Sequence, residues 1–323
     1  MSVPDSVSAS SPASPFQRLT VVGFGLIGGS LVRAIRAAQL PVEIVVYDAS
    51  PSVRARVREL GLADTVAETL EAAVEGSDCV VLCTPVGTFG LIAEVMAPHL
   101  KPGAIVSDVG STKAFAIDAI APHLPEGVHL VPAHPVAGTE NSGPDAGFAT
   151  LFKGRWCIVT PPEGADEAAV ERVRALWTAV GSNVELMDPP HHDRVLAVTS
   201  HIPHLIAYTI VGTASDLEQV TESEVIKFSA GGFRDFTRIA ASDPTMWRDV
   251  FLSNREAVLE ILQRFNEDLT ALQRAIRWGD GDTLFNLFSR TRHIRRTIID
   301  AGQDTARPDF GRETATPSGA AEE

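Results

Sequence analysis

Short apolar runs, rich in β-branched residues, alternate with segments of helical periodicity through the first half of the chain. The apolar runs cover residues 19–22, 42–47, 79–83, 104–107 and 128–131. Parallel strands need a crossover between them, usually a helix, so this alternation predicts an α/β fold with a Rossmann-type, doubly wound parallel sheet. A further strand, helix and strand are predicted at residues 156–160, 166–179 and 184–187.

The pattern becomes helical almost everywhere after residue 188. Asp-Pro-Pro at 188–190 and Asp-Pro at 243–244 are typical of helix starts, and in the second of them the acid is placed as N-cap with proline at the first helical position. An apolar stripe between residues 247 and 276 predicts one long helix that Gly279 ends, and a last helix is expected at 282–299. We expect an all-helical C-terminal domain that forms a homodimer, with packing on the chain's own sheet domain as the alternative.

The chain length suggests more than one domain. At 323 residues it is long enough for two. We expect a disordered leader at 1–16, a dinucleotide-binding domain at 17–188, a helical substrate and dimerisation domain at 189–300, and a disordered tail at 301–323. The apolar stretch 195–214 is interrupted by serine, histidine and proline, which favours a helix buried at a domain or subunit interface over a membrane span.

Composition and charge narrow the function. Hydrophobic residues make up 45% and charged residues 21%, as is ordinary for a soluble enzyme. The net charge of −14 argues against nucleic-acid binding and means that an anionic substrate needs a locally placed cation. Cys79, Cys83 and Cys157 form no disulfide framework, and no signal peptide or membrane span is predicted, so we expect a cytoplasmic protein.

The sequence 21–30, Val-Val-Gly-Phe-Gly-Leu-Ile-Gly-Gly-Ser, predicts a strand, a glycine turn and a helix that together bind a dinucleotide. Gly23 allows the tight turn, Gly25 lets the pyrophosphate approach the backbone, and Gly28 allows close packing of helix on strand. Asp48 follows Gly28 at about 20 positions, the usual spacing for an acid that binds the ribose 2′-hydroxyl. This favours NAD, while nearby Arg54 leaves NADP open. The predicted cofactor contacts are Gly23, Gly25, Leu26, Ile27, Gly28, Asp48, Thr84 and Pro85.

Two segments, 108–113 and 133–140, follow predicted strands at the sheet edge where such folds bind ligands. His134 is the candidate base, because removal of a hydride from an alcohol carbon requires an acceptor for the hydroxyl proton. A turn histidine bonded to backbone is the alternative. Ser111 is suited to orient the imidazole or the substrate hydroxyl, and a helix N-cap is its alternative.

The helical half offers candidates for binding an anion. Ser200 and His204 lie one helical turn apart and can bind a carboxylate or keto oxygen. Arg234 and Arg238 lie in a short Gly-led segment, and one of them is the natural carboxylate clamp. The other is expected to pair with Asp235, and surface pairing is the alternative for both.

His201, His204 and the sequence His191-His192-Asp193 carry side chains of the types that bind metal ions. Since they supply no full ligand set at a known spacing, no metal is predicted.

Several motifs together resemble the prephenate and arogenate dehydrogenase family of tyrosine biosynthesis. They are GFGLIGGS at 23–30, GSTK at 110–113, HPVAGTENSG at 134–143, SHIPH at 200–204 and GGFRDFTRIAASDPTMWRDVF at 231–251, and the resemblance spans roughly 18 to 300. It implies NAD-dependent oxidative decarboxylation of a cyclohexadienyl acid by a monofunctional enzyme. It further implies that His134 is the base, that Ser111 assists near the nicotinamide and that Arg238 holds the ring carboxylate. By the same resemblance, the remaining substrate contacts are Ser200, His204, Thr139, Glu140 and Trp247.

Two rival functions remain open at this point. One is a two-domain dehydrogenase of β-hydroxy acids or imines, which commonly has a lysine base, for which Lys227 is the only lysine in the helical half. The other is a non-catalytic NAD-sensing protein, which would bind cofactor without reducing it.

Overall fold

The structure is a computed structural model that describes residues 14–218 and 231–300, with the side chains of 218 and 298–300 left out. The strands are β1 (Arg18–Val22), β2 (Glu43–Tyr47), β3 (Thr65–Val66), β4 (Cys79–Leu82), β5 (Ile105–Asp108), β6 (His129–Leu130), β7 (Ala133–Pro135), β8 (Trp156–Val159) and β9 (Asn183–Leu186). The helices of the first half are α1 (Leu26–Ala37), α2 (Pro51–Leu60), α3 (Leu70–Val74), α4 (Phe89–Met96), α5 (Lys113–Ile120) and α6 (Glu167–Ala179). Those of the second half are α7 (Pro189–Leu196), α8 (Ile202–Glu218), α9 (Gly231–Thr237), α10 (Pro244–Ser253), α11 (Arg255–Trp278) and α12 (Gly281–Asp300).

Six parallel strands form the main sheet in the order β3-β2-β1-β4-β5-β6. This is the doubly wound Rossmann order and confirms the predicted fold class. The strands are buried on both faces by apolar clusters, which explains their nearly continuous Val and Ile runs. The order reverses between β1 and β4, so the ends of these two strands border the crevice where such folds bind ligands.

A second, three-stranded sheet was not predicted. β7 pairs antiparallel with β8, and β8 pairs parallel with β9. The pattern did predict β8, α6 and β9, but β7 has only three residues and includes Pro135, so no alternation marks it as a strand. His134 therefore lies within a strand, opposite Ile158, and not in a turn.

The predicted long helix at 244–278 divides into α10 and α11. The break is at Asn254, which has φ −108° and ψ 31° and whose side-chain amide bonds to groups outside the helix. The last helix, Gly281–Asp300, confirms the helix predicted at 282–299. The chain forms two compact units, Met1–Val258 and Leu259–Glu323, and the candidate site described below lies in the first. The division into domains at residue 188 stays a prediction.

The predicted disordered leader, 1–16, is wrong at its last residue. The side chain of Phe16 is buried in the core and lies under the guanidinium of Arg172. The rest of the leader, 1–13, and the predicted tail, 301–323, lie outside the described residues. The apolar stretch 195–214 is helical but not fully buried in the single chain, since Val198, Ile210 and Val211 are exposed. Among the described residues, Pro189–Leu217 is the one helical stretch long and apolar enough to cross a membrane, on length and composition alone.

Candidate active site

The glycine turn between β1 and α1 has the form that the sequence predicts. Gly23 has a φ of +94°, which favours glycine, and its N–H donates to the carbonyl of Tyr47 at 2.8 Å. A Cβ on Gly28 would lie 2.1 Å from the carbonyl oxygen of Gly23, so only glycine fits there. A Cβ on Gly25 would meet no atom within 4 Å. The turn therefore needs glycine at 23 and 28 for its own geometry, whereas at 25 it leaves space for a ligand.

Asp48 lies beside this turn at the end of β2. Its carboxylate accepts hydrogen bonds from the backbone N–H groups of Phe24 and Ser50, each at 2.9 Å. Arg54 donates to the carbonyl of Asp48 at 2.8 Å and pairs with Glu68 at 3.2 Å. The arginine is thus already engaged by an acidic partner, which is unfavourable for a second role as a phosphate ligand.

The other predicted cofactor residues lie at the same edge of the sheet. Leu26 and Ile27 form the first turn of α1, which Gly25 precedes without any side-chain cap. The N–H groups of that turn are therefore open to an anion. Thr84 and Pro85 follow β4, and the methyl of Thr84 lies 2.9 Å from the position of a Cβ on Gly23. An uncapped helix N-terminus, a Gly25 with open space beside it and the carboxylate of Asp48 together fit a dinucleotide.

His134 is buried, with 7% of its surface exposed, and its Nδ1 lies 2.9 Å from Nε2 of His192. Burial, with added repulsion from His192 and Lys113, holds the pKa of His134 well below its usual value. The imidazole is therefore neutral at neutral pH and able to accept a proton. The sequence-based alternative of a turn histidine bonded to backbone is wrong.

His192 in turn bonds to Asp193, with 2.8 Å between Nδ1 and Oδ1. The carboxylate of Asp193 also accepts from the backbone N–H groups of Lys113, at 2.7 Å, and Ala114, at 3.0 Å. It therefore caps α5 from a distant part of the chain. The N-cap position of α5 is Thr112, so the alternative in which Ser111 is the cap is wrong.

Lys113 and Asp108 form a fully buried ion pair near His134, with 2.5 Å between Nζ and Oδ2. Nζ also donates to the carbonyl of Ala133 at 2.8 Å, and so ties β7 to β5 next to His134. Burial raises the pKa of Asp108, and the charge of Lys113 opposes that rise. Sequence reasoning placed both residues in a candidate segment but assigned neither a role.

A second cluster contains the predicted substrate contacts of the helical half. The ring of His204 stacks on Trp247 with centroids 3.7 Å apart, and its Nδ1 donates to the carbonyl of Ser200 at 2.8 Å. Arg238 pairs with Glu140 at 3.0 Å, and burial, with a smaller contribution from Arg238, lowers the pKa of His204. Five of the six predicted substrate contacts therefore lie together.

The remaining predicted residues are placed as follows. Thr139 precedes Glu140, and its hydroxyl accepts from the N–H of Asn141 at 3.2 Å. Arg234 makes no ion pair with its neighbour Asp235 among the described residues, so the expected pairing there is wrong. Across the residues that the structure describes, the hydroxyl of Ser111 forms no hydrogen bond with His134, whose Nδ1 is bonded to His192.

Asn254 connects the two clusters. Its Nδ2 donates to the carbonyl of Asp193 at 2.8 Å and lies 3.1 Å from Nδ1 of His201. The ring of His201 meets Trp247 edge-on, at 6.1 Å between centroids. Burial lowers the pKa of His201 to about 4, so this ring is also neutral at neutral pH. Contacts thus run from His134 to Trp247 and His204, and the charge of Arg238 acts on His204.

Within residues 14–218 and 231–300, no group of three or more His, Cys, Asp and Glu side chains is arranged to hold a metal ion. His192, His201 and His204 each use Nδ1 in a bond to a neighbouring group. Lys227, the base of one rival function, lies outside the described residues.

Comparisons with known proteins identify the family. A model described as "Prephenate dehydrogenase, nucleotide-binding domain" matches residues 31–186, and one described as "Prephenate dehydrogenase, dimerization domain" matches 188–290. The chain is 42% identical to cyclohexadienyl dehydrogenase of Zymomonas mobilis over 88% of this chain and 96% of that protein. It is 32% identical to prephenate dehydrogenase of Bacillus subtilis over 86% and 75% of the two chains.

Among solved structures, it is similar to prephenate dehydrogenase from A. aeolicus in complex with hydroxyphenyl propionate and NAD+. The identity is 34%, the TM-score is 0.81, and the match covers 87% of this chain and 98% of the other.

Proposed function

The chain belongs to the prephenate dehydrogenase family, and we propose that it catalyses the NAD-dependent oxidative decarboxylation of prephenate to 4-hydroxyphenylpyruvate, of arogenate to tyrosine, or of both, in tyrosine biosynthesis. The observation that carries the proposal is the buried, neutral His134 in β7, linked by contacts to a cluster around His204 on which the charge of Arg238 acts. A base and a carboxylate ligand are the two protein groups that this reaction needs.

The proposed roles follow from the chemistry of the substrate. Bound NAD supplies the hydride acceptor, nicotinamide C4. His134 accepts the proton of the ring hydroxyl as the ring C–H bond breaks. The ring carboxylate leaves as carbon dioxide, and its bonding electrons complete the aromatic ring, to whose oxygen the proton can return. Because aromatisation drives the reaction, the protein has only to position the reactants and to hold one proton.

Arg238 is the proposed ligand of the ring carboxylate. Its guanidinium pairs with the carboxylate of Glu140, so a substrate carboxylate would have to compete with Glu140 for the guanidinium. This competition limits how tightly the carboxylate is held, which suits a group that must leave. Ser111 is proposed to assist near the nicotinamide.

Ser200, His204, Thr139 and Trp247 are the proposed contacts for the side-chain end of the substrate. His204 uses Nδ1 to donate to Ser200, so its Nε2 is an acceptor when the ring is neutral. An acceptor can meet an ammonium directly, and a hydroxyl such as that of Ser200 can meet a keto oxygen. These residues therefore suit both arogenate and prephenate.

NAD is the proposed cofactor, and Gly23, Gly25, Gly28 and the carboxylate of Asp48 would hold it. A homodimer is proposed as well, supported by the match to a dimerization domain at 188–290 and by exposed apolar side chains on α11 and α12. Examples are Phe285, which is 70% exposed, and Ile276, which is 67% exposed. A cytoplasmic location is proposed on the strength of three cysteines that are free.

The experiment that tests the activity offers the purified protein prephenate and arogenate with NAD and NADP in all four pairings, and follows the absorbance of reduced cofactor. We expect reduction with NAD and at least one of the two acids. Cofactor binding without reduction would favour a sensing protein, and reduction only with a β-hydroxy acid or in an imine assay would favour the rival dehydrogenase.

His134→Asn tests the assignment of the base. A positioned acid-base group contributes about 10² to 10⁴ in rate, so kcat should fall by that factor with KM little changed. His123→Asn is the matched control, because His123 is exposed and follows the C-terminal end of α5, whose N-terminal end is the one that borders the site. An unchanged kcat in His134→Asn would refute the assignment.

A further inference from the structure

We propose that His192 and Asp193 are positioning residues that fix the tautomer and orientation of His134, so that Nε2 of His134 carries the lone pair. The use of that lone pair as the base rests on the proposed function. The hydrogen-bond order itself is a property of the protein without ligands, and it can be tested separately.

Hydrogen bonds connect Asp193 to His192 and His192 to His134, and the donor in each of them can be assigned by starting from Asp193. Oδ1 of Asp193 already accepts from the N–H of Lys113, and an ionised carboxylate can only accept, so Nδ1 of His192 must be the donor. A neutral imidazole protonated on Nδ1 has its lone pair on Nε2. Nδ1 of His134 lies 2.9 Å from that atom and must therefore donate to it. The remaining nitrogen of His134, Nε2, is then left unprotonated.

The charge state of the two rings agrees with this order. Burial is the main cause that lowers the pKa of both His134 and His192, and the neighbouring charge of Lys113 lowers both further. Asp193 and Asp108 act in the opposite direction on His192, without overcoming burial. When both rings are neutral, Nδ1 of His134 can carry a proton while Nε2 of His192 carries none. The 2.9 Å between these two atoms then fits one hydrogen bond.

Asp193 is held in place independently of His192. Its side chain caps α5 through the N–H groups of Lys113 and Ala114, and its carbonyl accepts from Asn254. His192 itself is fully buried on α7, and its ring meets that of His134 edge-on at 68°. Asp193 is therefore fixed by its bonds to α5 and to Asn254. Through His192 it gives His134 one fixed orientation.

Three variants separate positioning from simple structural support. His192→Leu removes both ring nitrogens, whereas His192→Gln restores an amide whose N–H can donate toward Asp193 and whose oxygen can accept from His134. His191→Leu is the matched control, since His191 is the adjacent histidine and is exposed. Hydrogen-bond partners that orient metal-bound histidines contribute about 10- to 100-fold to activity, and we take the same range for His192. We expect that loss in kcat for the leucine variant at 192, with KM little changed and with substantial recovery in the glutamine variant.

Nitrogen-15 NMR of histidine-labelled protein without ligands provides the direct readout, with the His134 signals assigned by their loss in His134→Asn. We expect the proton on Nδ1 in the unmodified protein, and a mixture of tautomers in His192→Leu. A proton on Nε2 in the unmodified protein would overturn the proposal. So would an unchanged kcat in His192→Leu, or equal loss of kcat in the leucine and glutamine variants. If the unmodified protein turned over no substrate, the proposed function would fail, and the NMR result would still decide this inference.

Discussion

Replacing Gly25 with valine should separate cofactor binding from folding. Gly25 has φ −84° and ψ −154°, a conformation that L-residues adopt, and a Cβ there would meet no protein atom within 4 Å. The folded protein without cofactor therefore has room for the new side chain. The bound dinucleotide does not, because its pyrophosphate must approach this backbone to reach the N–H groups of α1.

The expected size of the effect comes from the hydrogen bonds that valine would prevent. One hydrogen bond to a charged group contributes about 1.5–3 kcal/mol, so losing one raises the Kd for NAD by about 10- to 150-fold. The free energy of unfolding should fall by no more than about 1 kcal/mol, because valine is a poorer helix N-cap than glycine by about that amount and its side chain meets no other atom of the protein.

Gly28→Ala is the matched comparison, because its added methyl would lie 2.1 Å from the carbonyl oxygen of Gly23. A backbone oxygen cannot turn away as a side chain can, so this variant should lose at least about 3 kcal/mol of stability. Calorimetric titration with NAD and thermal unfolding of the two variants measure both quantities. Unchanged NAD affinity in Gly25→Val, or an unchanged melting temperature in Gly28→Ala, would refute the reasoning.

Three further predictions concern the substrate side of the site and the buried charges. Arg238→Gln should raise KM for prephenate or arogenate by at least about tenfold with a smaller change in kcat, as steady-state kinetics can show, because a charge-assisted contact to the ring carboxylate is lost. The profile of kcat/KM against pH should stay level as pH falls through 6.5 and decline only below it, since the pKa of His134 is lowered and the neutral base persists. Lys113→Met should lower the free energy of unfolding by about 3–5 kcal/mol in urea titrations, because the carboxylate of Asp108 is left buried without its cation.

Each of these predictions has a clear contrary result. Unchanged KM in Arg238→Gln would move the clamp to another residue, with Arg234 as the next candidate. A decline of kcat/KM that begins above pH 7 would show that the base is not the buried imidazole of His134. If Lys113→Met unfolds within about 1 kcal/mol of the unmodified protein, Asp108 is neutral in the fold or finds another partner.

Local patterns predicted the features that depend on neighbouring residues. The glycine turn, the acid at the end of β2 and the order of strands and helices follow from φ and ψ preferences, spacing and hydrophobic period. Asp243 was recognised as a helix N-cap for the same reason, since a cap bonds to a backbone N–H within its own turn. The helix start at 188–190 was also recognised, and the structure shows that Asp188 caps it. His134 was indicated by its place after a predicted strand, and the family motifs then selected Arg238 over Arg234.

Contacts between distant segments were missed or misassigned. His192 was weighed only as a metal ligand, although its neighbour Asp193 carried the one signal that would have revealed its role, an acid beside a histidine at a helix start. Its partner His134 lies 58 positions away along the chain. The break at Asn254 was also missed, because hydrophobic period continues through it while its amide bonds to residues 53 and 61 positions away.

The sequence by itself determined where most of the strands and helices form and which residues have suitable chemistry, because these depend on short-range sterics and on the period of apolar side chains. Only the tertiary structure decided that Asp193 caps α5, that His192 contacts His134, and that Glu140 holds Arg238. Those pairings depend on how closely separate elements pack, and burial then sets which protonation state each group adopts.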